Sequence, residues 1–347
     1  MNAMNGLERI RTVIRGGKPD RVPVFPLVHF GSSHAAGYKI RDFSTDPEIN
    51  ARCLIHAYRE CGYDGVQPSI AVMVEGEAVG SRVEYPEDNV PFVKEIFLKE
   101  PDVDRLTMPE PEKTHPMSLV IESTRICAKE IGRESYIVPS IMGPLNSAGQ
   151  IRGVENVMFD FFDRPDFIEE LLDFTTEMGI RYGRALVDAG AHGIFIGEAM
   201  CSPSFISPAF YRKFVLPRQR RLIDTLLKYG AESTILHICA DTAPIMKPYA
   251  VESGTTIADL DWQVNMAETL NSDVMGQCKT LVRGNLNPAG ELLRGSPGDV
   301  REASRKLIEA VGKNSRFILG SGCAVNPDSL PANCRAMVEA AEIYGRF

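Results

Sequence analysis

Short runs of apolar, largely β-branched residues recur eight times along this chain, and a stretch with helical spacing follows each of them. The runs lie at 22–30, 65–70, 136–142, 193–198, 233–239, 255–260, 280–286 and 316–322. Continuous apolar character without polar alternation marks parallel strands, because crossover helices cover both faces of such a sheet. Eight strands, each followed by a helix, predict an α/β fold of the (β/α)8 TIM barrel type. An open doubly wound sheet is the alternative, but no Gly-x-Gly-x-x-Gly follows the first run. A short helix at 7–15, stopped by Gly16-Gly17-Lys18-Pro19, precedes that run. The rhythm breaks once, after the second strand. Residues 75–114 hold alternating pieces at 82–85 and 92–98 among many prolines, which predicts an inserted hairpin excursion. An insertion at that point lies over the C-terminal strand ends and can serve as a lid. The expectation is therefore one barrel domain over 1–347, with 75–114 inserted over its mouth.

Composition narrows what such a barrel can do. With 347 residues and 44% hydrophobic content the chain can bury one large core. A net charge of −8 argues against nucleic acid as a partner. No apolar run approaches the ~20 residues of a membrane span, and the first eight residues lack the basic and apolar parts of a signal peptide. A cytoplasmic protein without a membrane partner is expected. The eight cysteines are scattered, at 53, 61, 127, 201, 239, 278, 323 and 334, and do not form a disulfide framework. In a reducing cytosol they read as core residues, metal ligands or catalytic groups.

Barrel chemistry sits at the C-terminal strand ends. The polar residues there are His29, Glu198, His237, Cys239, Asp259, Asp261, Asn285 and Cys323. Residues two apart in a strand point to the same side, so His237 and Cys239 face one point. Cys323 sits where the 316–322 run opens into a loop. If the two strand ends are neighbours, one imidazole and two thiolates converge, a ligand set known for zinc with an open fourth position. The bland reading of each cysteine alone is a buried core residue. Soft thiolates with imidazole favour zinc over magnesium or calcium. Glu198 is a fourth ligand or a general acid, or it caps the following loop. His29 is a pocket group or a structural histidine, and Asn285 binds substrate or braces the Gly284–Pro288 turn. Asp241 is a candidate acceptor for the second ring nitrogen of His237. His192, at the opposite end of its strand, is expected to be structural, and Met142, Phe195 and Met200 to pack.

The runs Ile235-Leu-His-Ile-Cys-Ala-Asp-Thr242, Arg283-Gly-Asn-Leu-Asn-Pro288 and Gly320-Ser-Gly-Cys-Ala-Val-Asn-Pro327 resemble the uroporphyrinogen decarboxylase superfamily. So do Arg21-Val-Pro23 and Ile206-Ser-Pro-Ala-Phe-Tyr211, so the resemblance covers nearly the whole chain. Within it, the His-x-Cys of His237 and Cys239 with the late Cys323 is similar to the zinc and corrinoid-dependent methyltransferase branch. True decarboxylases carry an arginine-rich loop after the first strand. Here 29–37 reads His-Phe-Gly-Ser-Ser-His-Ala-Ala-Gly with no arginine until Arg41, so porphyrinogen decarboxylation is not expected. The resemblance implies methyl transfer through a corrinoid (cobalamin) on a partner protein, since no Asp-x-His-x-x-Gly stretch is present to bind one. One direction takes a methyl group from a small donor, such as an aromatic methyl ether, to Co(I), with Glu198 as the acid. The other passes the methyl group to a thiol acceptor of the coenzyme M type. A non-catalytic barrel that only binds a corrinoid protein is the reading from another class. The oligomeric state is left open, a homodimer included.

Overall fold

The computed structural model describes residues 3–70, 72–311 and 314–347. Its strands are β1 (Gly65–Val66), β2 (Arg82–Glu84), β3 (Phe92–Glu95), β4 (Tyr136–Ile137), β5 (Ser140–Met142), β6 (Gly193–Gly197), β7 (Ser233–Ile238), β8 (Ile257–Leu260), β9 (Leu281–Leu286) and β10 (Phe317–Ser321). A parallel six-stranded sheet runs in the order β10-β9-β8-β7-β6-β5, and β1 pairs with β4, also in parallel. Helices such as Met117–Ile131, Pro165–Asp188, Leu216–Tyr229 and Pro297–Val311 alternate with the strands. The fold is thus α/β, with helices and parallel sheets. No helix among the described residues is long and apolar enough to cross a membrane.

The two sheets are joined by further backbone hydrogen bonds. On one side Val138 N donates to Val66 O, Ser140 N to Pro68 O and Phe195 N to Pro139 O. On the other, Leu319 N donates to Pro23 O, Phe25 N to Leu319 O, and Asp64 N to Val24 O. Hydrogen bonds therefore run from 22–27 through all eight predicted strand positions and back.

The expectation of a strand over 22–30 is corrected: only isolated bridges form, Arg21 with Arg346 and Val24 with Leu319. Pro23 and Pro26 have no N–H to give, so an even ladder is impossible. The donors that remain find side chains instead, Val24 N on Asp64 Oδ2 at 2.7 Å and Leu27 N on Ser321 Oγ at 3.0 Å. Pro68 and Pro139 likewise cut the second and third predicted runs down to β1, β4 and β5. The helix expected around 243–251 is a 3-10 turn at Ala243–Ile245 followed by a π-helix at Lys247–Glu252. The excursion after the second strand is present as the antiparallel hairpin β2–β3.

Apolar residues divide into two clusters. The larger lies between strands and helices. The smaller holds Phe25, Leu27, Tyr136, Val138, Phe195, Ile235, Ile257, Leu281 and Ile318, which fill the space the strands enclose. Leu7, Ile10 and Val13 join this inner cluster from the helix Gly6–Ile14, so that helix plugs the N-terminal end. Asn5 caps it in a reciprocal box with Glu8, which fixes its start.

Candidate metal centre

Strand parity sets the centre. Ile235, Ile257 and Leu281 belong to the inner cluster, so the residues two further on, His237, Asp259 and Arg283, face the same interior one layer nearer the C-terminal ends. They are also cross-strand partners, His237 with Asp259 and Asp259 with Arg283. Cys239 follows β7, and Cys323 follows β10 across the ring.

One ligand atom each from His237, Cys239 and Cys323 lie within 4.8 Å of one another. Cys239 Sγ is 3.2 Å from His237 Nε2. A tetrahedral zinc with Zn–S near 2.3 Å and Zn–N near 2.0–2.1 Å sets its ligands roughly 3.5–3.8 Å apart, so small side-chain shifts suffice. The other ring nitrogen, His237 Nδ1, lies 2.8 Å from Asp259 Oδ2, at an angle that departs from a straight hydrogen bond. Arg283 Nε donates to Asp259 Oδ1 at 2.6 Å. Both members of this ion pair are wholly buried, and the guanidinium lies against the rings of Phe25 and Phe195. Asp259 therefore directs Nε2 of His237 towards the two sulfurs, and Arg283 keeps Asp259 ionised.

The three side chains are close enough to shift one another's titration. Burial opposes charge on His237, but Asp259 and the two cysteines prevail and raise its pKa well above the ordinary value. The two thiols and the imidazole act on one another: Cys323 pushes the Cys239 pKa up, and Cys239 together with His237 draws that of Cys323 down.

The acceptor for His237 was expected to be Asp241. That expectation is corrected, because Asp241 Oδ1 accepts from Ala243 N at 3.0 Å and caps the local turn. The signal for Asp259 was available in strand parity: it sits two residues after inward-facing Ile257 on the neighbouring strand. Arg283, in the middle of an apolar run and two after Leu281, carried the same signal.

A cavity of about 410 Å³ opens on His237, Cys239 and Cys323, and His29 and Glu198 also line it. His29 is half-buried, desolvation of its ring lowers its pKa, and its Nε2 has no protein partner. Gln67 approaches the ring without good hydrogen-bond geometry. Glu198 stands apart from the ligand cluster at the start of the helix Pro144–Arg152. Its Oε1 accepts from Leu145 N at 3.2 Å, and its Oε2 from Asn146 N at 3.3 Å and Cys201 Sγ at 3.2 Å. Burial raises its pKa to about 7 against these donors. Asn285 is not in the cavity wall. Its Nδ2 donates to Asp261 O at 3.0 Å and Val264 O at 2.7 Å, so it braces the loop after β8 and not the 284–288 turn. At the opposite end, His192 Nδ1 accepts from Ile137 N and the ring stacks on Tyr136.

The uroporphyrinogen decarboxylase (URO-D) family matches residues 5–344. The methylcobamide:CoM methyltransferase MtbA of Methanosarcina mazei is 27% identical over 97% of each chain. A methylated-thiol–coenzyme M methyltransferase of the same organism is 27% identical over 99% of this chain and 90% of its own. A solved methyltransferase structure from Methanosarcina mazei superposes with a TM-score of 0.89 over 98% of this chain and 99% of that one, at 23% identity. With the family match running over almost the full length, this chain belongs to the uroporphyrinogen decarboxylase family.

Proposed function

We propose that this protein is a zinc-dependent methyltransferase that works with a corrinoid carried by a separate protein. The observation that carries this reading is the convergence of His237, Cys239 and Cys323 on the floor of a cavity. The ring of hydrogen bonds with its own inner apolar cluster supports a (β/α)8 barrel as the frame. We take 1–347 as one such domain, with 75–114 as an insertion over its mouth. Val90, between β2 and β3, lines the cavity and supports that placement. The relatives' names, which pair methylcobamide or methylated thiols with CoM, support a corrinoid partner. Eight free thiols suit a reducing cytoplasm.

In this reading His237, Cys239 and Cys323 hold the metal, and the two sulfurs balance its charge. Zinc bound there supplies Lewis acidity, drawing charge from a donor's heteroatom or lowering the pKa of a thiol. Asp259 fixes the His237 tautomer. Apolar walls keep bulk water from the reacting methyl group. His29 offers an unpaired ring nitrogen to the substrate. Glu198, with a pKa near 7, holds a proton that the leaving heteroatom can take. The direction we favour runs from a small methylated donor, such as an aromatic methyl ether, to Co(I). The second reading, methyl transfer to a thiol, is favoured by the coenzyme M relatives.

Elemental analysis tests the centre: about one zinc per chain is expected, lost in Cys239→Ala and in Cys323→Ala. Full metal retention in both variants would end the proposal. A screen of methylated compounds with Co(I)-cobalamin, followed by loss of the Co(I) spectrum, tests the direction. Reaction only between methylcobalamin and a thiol reverses it.

A further inference from the structure

The cavity beside the candidate metal ligands offers an incoming anion no arginine or lysine. Leu27, Phe30, Val72, Val90, Phe195 and Val325 supply much of its wall, and no arginine or lysine lines it among the described residues. Arg283 does not line it: the side chain is wholly buried, its Nε donates to Asp259, and its guanidinium, whose two terminal nitrogens have no hydrogen-bond partner, lies against the rings of Phe25 and Phe195. Desolvation holds the His29 pKa below its ordinary value. Asn146 is in use, its Oδ1 accepting from Met200 N and its Nδ2 directed at Met142 Sδ.

A helix N-terminus could still receive an anion, since its free N–H groups and dipole favour negative charge. The helix Pro144–Arg152 begins at this cavity, but Glu198 already accepts from Leu145 N and Asn146 N. The position an incoming sulfonate or carboxylate would use is occupied by the protein's own acid. An anion there would face Glu198 and lose its hydration without gaining a cation.

We propose that the small molecule taken up beside the metal is uncharged and mainly apolar, and that sulfonate-bearing thiols such as coenzyme M are rejected. This rests on the metal-site reading above and sets the chain apart from the relatives named for coenzyme M. Size agrees: an apolar cavity of about 150 Å³ already holds benzene, and this one, at about 410 Å³, has room for a substituted ring.

The test uses the full chain with cobalt(II) in place of zinc, so that thiol binding is read from thiolate-to-cobalt bands without turnover. Three thiols are compared: 2-mercaptoethanesulfonate, its neutral partner 2-(methylsulfonyl)ethanethiol, and phenylmethanethiol. Both neutral thiols should bind roughly 100-fold or more tightly than the sulfonate, the penalty for an unpaired buried charge. Phenylmethanethiol should bind best. Val72→Arg, a change at an exposed position on the cavity rim, should recover roughly tenfold in sulfonate binding. Equal or tighter binding of the sulfonate in the unaltered protein overturns the inference and leaves the metal-site reading standing. No spectral change with any thiol, with cobalt bound, overturns the inference and leaves the metal-site reading standing, whereas failure to bind cobalt at all overturns both.

Discussion

The arc that carries the candidate metal ligands and the front arc of the strand ring solve the same problem differently. Strands β7 to β10 are unbroken, pair in continuous register, and carry His237, Asp259 and Arg283 as direct neighbours. The front arc, 22–27 with β1, β4 and β5, is interrupted by Pro23, Pro26, Pro68 and Pro139. Side chains complete what its backbone cannot. Asp64 accepts from Val24 N, Arg9 and Arg21, and Ser321 Oγ accepts from Leu27 N. Ligands that must meet within a few tenths of an ångström lie on continuous strands or just beyond their ends. The interrupted arc contributes Leu27, His29 and Ser140 to the cavity wall, where apolar shape matters more than ligand geometry.

The sharpest test sets Arg283 against Asp64, both in buried ion pairs but on opposite arcs. Arg283→Met leaves Asp259 charged and unpaired, and Asp64→Ala strips two arginines and a backbone N–H of their acceptor. Each should cost roughly 3–5 kcal/mol in denaturant unfolding, the usual penalty for breaking a buried pair. Metal affinity should separate them. Arg283→Met disturbs the carboxylate behind His237 and should weaken zinc binding by roughly 10–100-fold, whereas Asp64→Ala should leave it unchanged. Equal loss of zinc in both variants would dissolve the distinction between the arcs.

Two buried acids give the next largest effect. Burial lifts Glu75, whose Oε1 accepts from Met142 N in the front arc, from 4.5 to about 8. Glu198 is lifted to about 7. Folding then binds protons, so these groups contribute stability fully below pH about 4.5, the unfolded value, and lose it as pH rises through 7 to 8. The rise at Glu198 is worth roughly 3 kcal/mol. Glu198→Gln and Glu75→Gln should each flatten the fall in stability between pH 5 and 8. In Glu198→Gln zinc should stay bound, while methyl transfer slows by roughly 100-fold if the residue is the acid. Normal zinc and an unchanged rate would reduce Glu198 to a helix cap.

The order of elements could be read from the sequence because apolar runs and helical spacing recur so regularly, and the convergence of His237, Cys239 and Cys323 because strand parity and loop position are local facts. Strand lengths in the front arc were harder, although Pro23, Pro26, Pro68 and Pro139 were all in view. Those prolines leave the apolar pattern intact and remove only hydrogen bonds, so a pattern-based reading extends the strand past them. The partner of His237 was misplaced for another reason. Asp241 is near in sequence, but Asp259 is near in space, and only the register of β7 on β8 decides between them. Which way Glu198 turns depended on where the helix Pro144–Arg152 begins, a tertiary fact with no local sign.

A smaller effect is expected at Asn285, on the arc of the candidate ligands but outside the cavity. Its amide ties β9 to the carbonyls of Asp261 and Val264. Asn285→Ala should cost roughly 1–3 kcal/mol for two lost hydrogen bonds, with zinc content and thiol binding close to normal. A loss of turnover larger than the loss of stability explains would return Asn285 to the substrate's surroundings.

The least costly change concerns the hairpin of the front arc. β2 and β3 are short and largely exposed, with Phe92 about half exposed, yet Val90 between them reaches the cavity wall. Exposed polar contacts hold the tip, with Glu87 O accepting from Arg41 N and Asp88 paired with His34 and Lys39, so it should open locally at less free-energy cost than β7 to β10. A ligand in the cavity adds contacts to Val90 and should slow amide exchange over 85–92 by roughly tenfold, as closing lids do, without changing global stability beyond the binding term. Hydrogen exchange with and without phenylmethanethiol reads this directly. Slower exchange confined to the loops after β7 and β10, with 85–92 unchanged, would make the hairpin a fixed crossing and leave the front arc's part in binding to Leu27 and His29.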